Sequence, residues 1–269
     1  MKLHPAWRLL VYLAACAAFT LGLGWLGIAL GLSIPFLPPL AGVTLATWLA
    51  GRYLDHARLA DLGLRWRPRS RTDLAVGLGL PLVLLVSILA LEWAAGWSLI
   101  AGVHPAGPAH AALIWQLAMV AWYEELFARG YVLQTLNRFM DFPAANILSA
   151  LVFAGLHLGN PGASPMAFGG VLLAGILLGV CFRVSRSLYL PMAFHFSWNL
   201  TQALLGYPVS GASFPGLLRL VREGPPLYTG GAFGPEAGAI GYFIIMIAMG
   251  TVWWYGETCR KEIGGTEVL

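Results

Sequence analysis

The sequence predicts an all-α membrane protein, a polytopic bundle of about eight transmembrane helices. Three observations support this fold class. Of the 269 residues, 58% are hydrophobic and only 10% are charged, whereas a soluble domain carries about 25% charged residues. The apolar residues fall into runs close to the roughly 20 residues that cross a bilayer as a helix. Most basic residues lie in short clusters between these runs, which is how membrane topology is encoded.

Eight apolar runs are candidates for transmembrane helices. They are about residues 8–31, 33–51, 74–98, 111–135, 143–158, 166–182, 187–205 and 237–256. The first run follows a basic leader, but it exceeds the 7–15 residues of a signal-peptide core, so we expect an uncleaved span. Because no internal repeat is evident, residues 1–269 are predicted to form one integral membrane domain, with a core over about 111–205.

The lysines and arginines predict the orientation. With the N-terminus in the cytoplasm, eight alternating spans place 13 of the 16 basic residues on the cytoplasmic side. The thirteen are Lys2, Arg8, Arg52, Arg58, Arg65, Arg67, Arg69, Arg71, Arg138, Arg183, Arg186, Arg260 and Lys261. Because cytoplasmic loops are enriched in positive charge, we expect both termini to be cytoplasmic, in a bacterial inner membrane. The same distribution argues against a nucleic-acid partner and favours membrane lipids.

Two features on the predicted outer side have no assigned role. Glu92 lies near the outer end of the third run, where we expect its side chain to reach the interface. The outer loop, residues 206–238, is rich in glycine and proline. It is interpreted either as a cap over a site or as a connector.

Polar residues interrupt three of the apolar runs. The fourth contains EELFAR, the fifth FAGLH and the seventh HFSWN. A charged side chain at the bilayer centre costs roughly 2.5–3.5 kcal/mol, so such residues usually mark function. At 1.5 Å per residue, Glu124, His157 and His195 lie about 18, 21 and 12 Å from the inner ends of their runs. They are therefore predicted to converge on a cavity near the midplane.

Helical spacing separates these residues into groups. Glu125 and Arg129 are four residues apart and can form an ion pair on one face. Glu124 is offset by about 100° from Glu125, so it points elsewhere and needs other partners. His195 and Asn199 are also four residues apart and share a face.

In order and spacing, the three motifs resemble the CPBP family of CAAX proteases and bacteriocin-processing proteins, which includes the Ras-converting CAAX endopeptidase. The family pattern is EExxxR, then FxxxH, then HxxxN. The resemblance covers about residues 124–199 and implies an intramembrane endopeptidase.

The resemblance also implies roles for the motif residues. Glu124 would be the general base that activates a water molecule. His157 and His195 would position that water or stabilise developing charge, and Asn199 would polarise the scissile carbonyl. Glu125 and Arg129 would form a structural ion pair. On this interpretation the enzyme needs no cofactor.

Alternatives remain open on the same residues. Glu124, His157 and His195 could instead form a His₂Glu zinc site with an open position for water; the absence of an HExxH motif weighs against it. The expected substrate is a peptide or protein, either lipidated or carrying a C-terminal tag. A non-enzymatic immunity or scaffold protein is a second function class. A transporter would predict repeated halves, which the sequence lacks.

Overall fold

The computed structural model describes residues 4–32, 34 and 36–262, and helices occupy all eight predicted runs. The principal helices are α1 (Pro5–Ala29), α2 (Leu37–Leu49), α3 (Ser70–Ala94), α4 (Pro108–Glu125), α5 (Leu133–Leu136), α6 (Phe142–Leu156), α7 (Pro165–Ser185), α8 (Tyr189–Leu204), α9 (Pro226–Thr229) and α10 (Ala239–Glu262).

The described residues contain four helices that are long and apolar enough to cross a membrane, namely α1, α3, α7 and most of α10. Helix α6 is apolar but shorter. The all-α polytopic fold class is therefore confirmed, while the count of eight spans stays a prediction.

Local sequence sets where several helices begin. Proline is the first residue of α1, α4 and α7, where its missing N–H costs nothing and its fixed φ favours a helix. The side chain of Asp141 accepts a hydrogen bond from the Ala144 backbone N–H at the start of α6. Ser164 does the same for Ala167 at the start of α7. These caps satisfy backbone donors that the first turn leaves unpaired.

Small residues allow the central helices to approach closely. Helix α3 packs along α8, and α6 packs along α7. A Cβ atom at Gly77 would lie 2.7 Å from the Ala193 Cβ atom, and one at Gly175 would lie 2.9 Å from the Ala150 Cβ atom. Glycine is therefore required at both crossings, as is typical of helix packing in membranes.

A small antiparallel sheet was not predicted. Strand β1 (Ser98–Val103) pairs with β2 (Leu218–Arg222). The third predicted run reached residue 98, but α3 ends at Ala94, and Gly96 then turns the chain with φ +72°. A left-handed residue of this kind ends the helix, and glycine adopts it without steric cost. The sheet joins the loops that follow α3 and α8.

The expectation that Glu92 reaches the interface is wrong. Its side chain is fully buried, and its Oε2 atom accepts hydrogen bonds from Ser98 Oγ at 2.6 Å and from the Tyr207 hydroxyl at 2.8 Å. The two hydroxyl donors offset part of the cost of burying this group, whose Oε1 atom is buried without a hydrogen bond from the described residues. Glu92 thus fastens the end of α3 to the outer loop.

At the other end of the bundle, basic residues connect separate segments. The Asp55 carboxylate accepts a hydrogen bond from Arg8 Nη1 at 2.5 Å and also pairs with Arg138. Arg8 and Arg138 both belong to the set of basic residues predicted to be cytoplasmic. Lys2, another member of that set, lies outside the described residues. The orientation itself stays a prediction.

We predict opposite labelling of the two ends. Cysteines at the exposed positions His104 and Glu223 should react with a membrane-impermeant maleimide only from the periplasmic side of sealed vesicles. A cysteine at Asn137 should react only from the cytoplasmic side. The background should carry Cys259→Ser, since Cys16 and Cys181 are buried whereas Cys259 is partly exposed. Labelling of all three positions from one side would contradict the topology.

Candidate active site

The first motif lies where α4 changes helical form. Glu124 and Glu125 end α4, and residues Leu126–Val132 continue as a π-helix. π segments are rare and are frequent at functional sites. Two side chains stabilise this one: Ser149 Oγ donates to the Ala128 carbonyl at 3.0 Å, and Gln134 donates to carbonyls within it. The sequence analysis predicted a continuous run here and missed the π segment.

The predicted ion pair between Glu125 and Arg129 is present. Arg129 Nη1 lies 2.7 Å from Glu125 Oε1, and the two side chains are only 1% and 0% exposed. The guanidinium group of Arg129 also contacts a backbone carbonyl and an aromatic ring. Its Nη2 atom donates to the Gly175 carbonyl at 2.7 Å, and its carbon lies 4.6 Å from the centre of the Phe153 ring. The buried arginine therefore has a charge partner, a carbonyl acceptor and an aromatic face.

Glu125 also binds His195, a contact that the sequence analysis missed. His195 Nδ1 lies 2.9 Å from Glu125 Oε1. A carboxylate can only accept hydrogen bonds, so Nδ1 carries the proton and the ring presents Nε2 on its other side. Glu125 is consequently shared between Arg129 and His195 and is not the partner of the arginine alone.

His157 is fixed by the end of its own helix. It is the residue that caps α6, and its Nδ1 atom lies 2.8 Å from the Phe153 carbonyl. The carbonyl accepts, so Nδ1 is again the donor and Nε2 faces away from the helix. The rings of Phe153 and His157 are 4.7 Å apart, and Phe153 also meets His195 edge-on at 6.1 Å. One phenyl ring therefore contacts both imidazoles and the arginine.

Glu124 lies between the two imidazoles. Its Oε2 atom is 4.0 Å from His157 Nε2 and 3.8 Å from His195 Nε2. This oxygen is buried and accepts no hydrogen bond from the described part of the chain. Because buried polar groups are normally paired, an unpaired carboxylate oxygen facing two ring nitrogens indicates a place for a ligand or reactant.

A cavity of about 830 Å³ contains all of these groups. Asn199, one turn after His195 on α8, also lines it, with 9% of the residue exposed. Helices α1, α2, α4, α6, α7 and α8 contribute mostly apolar walls. The structure thus brings Glu124, His157, His195 and Asn199 to one cavity, while Glu125 and Arg129 lie behind it.

Residues that the sequence analysis missed hold the outer loop over this cavity. Glu236 is buried, and its Oε1 atom accepts from the backbone N–H of Ser210 at 2.8 Å and from the Ser210 hydroxyl at 2.9 Å. Gln202 donates to Glu236 Oε2 and to the Pro208 carbonyl. Asn160 donates to the Ser210 carbonyl at 2.9 Å. Asn160 and Gln202 each lie three residues after a motif residue, which is the signal available in the sequence.

Of the two interpretations of the outer loop, the structure favours the cap. Residues Val209, Ser210, Ala212 and Phe214 of the loop line the cavity together with Glu236. Burial raises the pKa of Glu236 above its ordinary value, against the lowering effect of the Ser210 and Gln202 hydrogen bonds. The loop is thus anchored by one buried carboxyl group.

The donor types at the site suit zinc, but the spacing is loose. Glutamate and two histidines are a catalytic zinc set, and tetrahedral zinc holds ligand atoms about 3.4 Å apart at the usual bond lengths. The separations here are 3.8 and 4.0 Å. Within residues 4–32, 34 and 36–262, no group of three or more His, Cys, Asp or Glu side chains is close enough to hold a metal ion. Zinc would require these three side chains to move together.

Comparison with known proteins identifies the segment that carries this geometry. Residues 106–201 match the family model described as type II CAAX prenyl endopeptidase, Rce1-like. Over this segment the chain is similar to the CAAX-protease family. The matched segment runs from just before α4 through most of α8 and includes all seven motif residues. A search of curated proteins found no match. The outer cap and helices α1 to α3 lie outside the matched segment.

We predict that Arg129 is needed for stability. Arg129→Ala leaves the Glu125 carboxylate buried without its cation, which typically costs about 3–5 kcal/mol of folding free energy. Arg260→Ala is a matched control, because Arg260 pairs with Glu257 at an exposed position, where such pairs contribute about 0–1 kcal/mol. Denaturation in detergent, followed by tryptophan fluorescence, measures both. Equal stability of the two variants would contradict the structural role.

We predict that Glu236 restrains the cap. Glu236→Ala leaves the Ser210 backbone N–H without its acceptor, and a hydrogen bond to a charged group contributes about 1.5–3 kcal/mol. Amide exchange in residues 207–211 should therefore accelerate roughly 10- to 100-fold, measured by hydrogen–deuterium exchange mass spectrometry. Glu223→Ala, at an exposed position of the same loop region, should leave that exchange unchanged. Unaltered exchange in Glu236→Ala would mean that other contacts hold the cap.

Proposed function

We propose that the protein is an intramembrane endopeptidase that hydrolyses a peptide bond with a glutamate-activated water. The observation that carries the proposal is the Glu124 Oε2 atom, which is buried without a hydrogen bond from any described residue and lies 3.8–4.0 Å from two imidazole Nε2 atoms in a cavity of about 830 Å³. The CAAX-protease match over residues 106–201 supports a peptide hydrolase. General bases require a reacting proton within hydrogen-bond reach, and this arrangement provides such a position.

The first step is proton transfer from water. A water hydrogen-bonded to two atoms at about 2.8 Å bridges separations of roughly 4 to 5 Å, so it fits between Glu124 Oε2 and His157 Nε2, which are 4.0 Å apart. Bridging to His195 Nε2, at 3.8 Å, requires a small outward shift of either side chain. Glu124 takes one proton, and an imidazole Nε2 atom accepts the second hydrogen and aims the oxygen. The resulting hydroxide attacks the carbonyl carbon of the scissile bond. The hydrogen bonds at Nδ1 of His157 and His195 suit this task, because in the neutral rings they leave Nε2 as an acceptor.

The second step is collapse of the tetrahedral intermediate. Asn199 contributes an amide N–H that can donate to the oxyanion, an interaction that is strong in a low-dielectric site. Glu124 returns its proton to the leaving nitrogen as the carbon–nitrogen bond breaks. The products are a carboxylic acid and a free amine, and the acid then passes its proton to the amine or to solvent. Glu125 acts as a positioning residue here, because it orients His195 without touching the reacting atoms.

The cavity also bears on the substrate. Its walls are mostly apolar, which suits a membrane-proximal peptide. A lipidated or C-terminally tagged substrate fits this chemistry.

We predict that Glu124→Gln abolishes turnover while preserving the fold. The amide keeps the shape of the side chain but cannot accept the proton from water, so the rate should fall by roughly 10²–10⁴-fold. His157→Ala and His195→Ala should be comparably damaging, and Asn199→Ala should cost on the order of 10²–10³-fold. Glu223→Gln is the matched control and should retain full activity.

The measurement has two stages because it does not assume a substrate. Quantitative mapping of protein termini in membranes from cells expressing wild type or Glu124→Gln identifies termini that only the wild type generates. Purified variants are then assayed on that substrate in detergent. Identical termini in the two strains would leave a binding or scaffold role as the better account.

We predict that proteolysis is independent of zinc. Purified active protein should contain far less than one zinc per chain, and exhaustive chelation should leave cleavage unchanged. Elemental analysis by mass spectrometry and the cleavage assay give the two readouts. One tightly bound zinc per chain, lost together with activity and restored by adding it back, would instead make Glu124, His157 and His195 metal ligands.

A further inference from the structure

A second concave site lies at the basic end of the bundle, away from the Glu124 cavity. It has a volume of about 490 Å³ and lies between the 3-10 helix Leu59–Leu62, α5 and the end of α7. We call it the basic pocket. Five arginines from three separate segments line it: Arg65, Arg67, Arg138, Arg183 and Arg186. A basic cluster that only sets membrane topology needs positive charge within one loop. In this pocket, by contrast, the tertiary fold brings together arginines that are distant in the sequence.

The charge of the basic pocket is not neutralised by its own residues. Asp61 is the one carboxylate among the lining residues; hydrogen bonds from Arg58 lower its pKa to about 2, and it pairs with Arg65. Arg138 pairs with Asp55. The remaining three lining arginines, Arg67, Arg183 and Arg186, form no ion pair within the described residues. The pocket therefore keeps an excess of positive charge at neutral pH.

Two of these arginines are held in place. Arg183 is half-buried, and its guanidinium carbon lies 5.2 Å from the centre of the Phe142 ring, which also lines the pocket. Arg186 ends α7 in the left-handed conformation, with φ 49° and ψ 34°. A left-handed residue is a common end of a helix, and here it stops α7 at an exposed arginine that lines the pocket.

We propose that the basic pocket binds a phosphate-bearing anion. The guanidinium fork matches phosphate oxygens in shape and charge, and several arginines converge without a carboxylate to occupy them. The apolar side chains of Leu133, Phe142 and Phe182 form part of the same wall. Phosphate attached to an apolar body would satisfy both parts of the site. The headgroup of an anionic phospholipid and a free phosphate are two sources of this chemistry.

The test compares two double variants with equal loss of charge. Arg183→Gln with Arg186→Gln removes two pocket arginines. Arg52→Gln with Arg71→Gln removes two exposed arginines of the predicted cytoplasmic set that do not line the pocket. The full-length proteins are prepared in nanodiscs of phosphatidylcholine. Energy transfer from tryptophan to dansyl-phosphatidylglycerol reports lipid binding, and calorimetric titration with inorganic phosphate reports free anion binding.

At about 1 kcal/mol for each basic residue near an anionic headgroup, the pocket variant should bind at least roughly tenfold more weakly than wild type. The control variant should change less than twofold. Saturable binding of dansyl-lipid that inorganic phosphate does not displace assigns the site to a headgroup, and saturable binding of inorganic phosphate itself assigns it to free phosphate. Equal weakening of both double variants, or no weakening of the pocket variant, would overturn the proposal. If the pocket variant does not fold, Arg67→Gln with Arg186→Gln replaces it.

Discussion

A guanidinium removed from water remains charged, so the surrounding protein must supply both a counter-charge and hydrogen-bond acceptors. Arg129 is 1% exposed and sets this requirement for the whole core. Glu125 provides the charge from the same helix, and Gly175 provides a carbonyl from α7. That carbonyl is within reach because Gly175 lets α7 approach Ala150 of α6. The positions of three helices are thus tied to one buried cation.

Glu125 connects this ion pair to the residues that line the cavity. One carboxylate oxygen binds both Arg129 and His195, so the group that stabilises the core also sets the tautomer of an imidazole that faces Glu124. Structural and chemical roles are therefore not divided between separate residues. Phe153 repeats this arrangement, since its ring contacts Arg129 and both histidines. Substitutions at either residue should perturb folding and reactivity together.

The sequence was sufficient to predict local features but not those made by tertiary contact. The apolar runs and the i,i+4 pair of Glu125 and Arg129 depend on spacing along one helix, and both are present. Three hydrogen bonds were not predicted: Glu125 with His195, Glu92 with Tyr207 and Glu236 with Ser210. They join residues 26 to 115 positions apart in the sequence, and no periodicity encodes such pairs. The π segment depends on Ser149 and Gln134, which satisfy its carbonyls from outside. The strands β1 and β2 were not predicted because each is short and becomes a strand only when the fold places it beside the other.

The order in which the cavity is completed has a consequence for biosynthesis. Its walls begin with α1, Glu124 arrives on α4, His157 on α6 and His195 on α8, and the Glu236 anchor follows only after β2. A nascent chain therefore carries no complete set of polar groups until nearly all of its helices have been synthesised. During insertion, Glu125 and Arg129 can pair within their own helix, while Glu124 still lacks both imidazoles. On the proposed mechanism, partially made chains would therefore be unable to hydrolyse neighbouring membrane proteins.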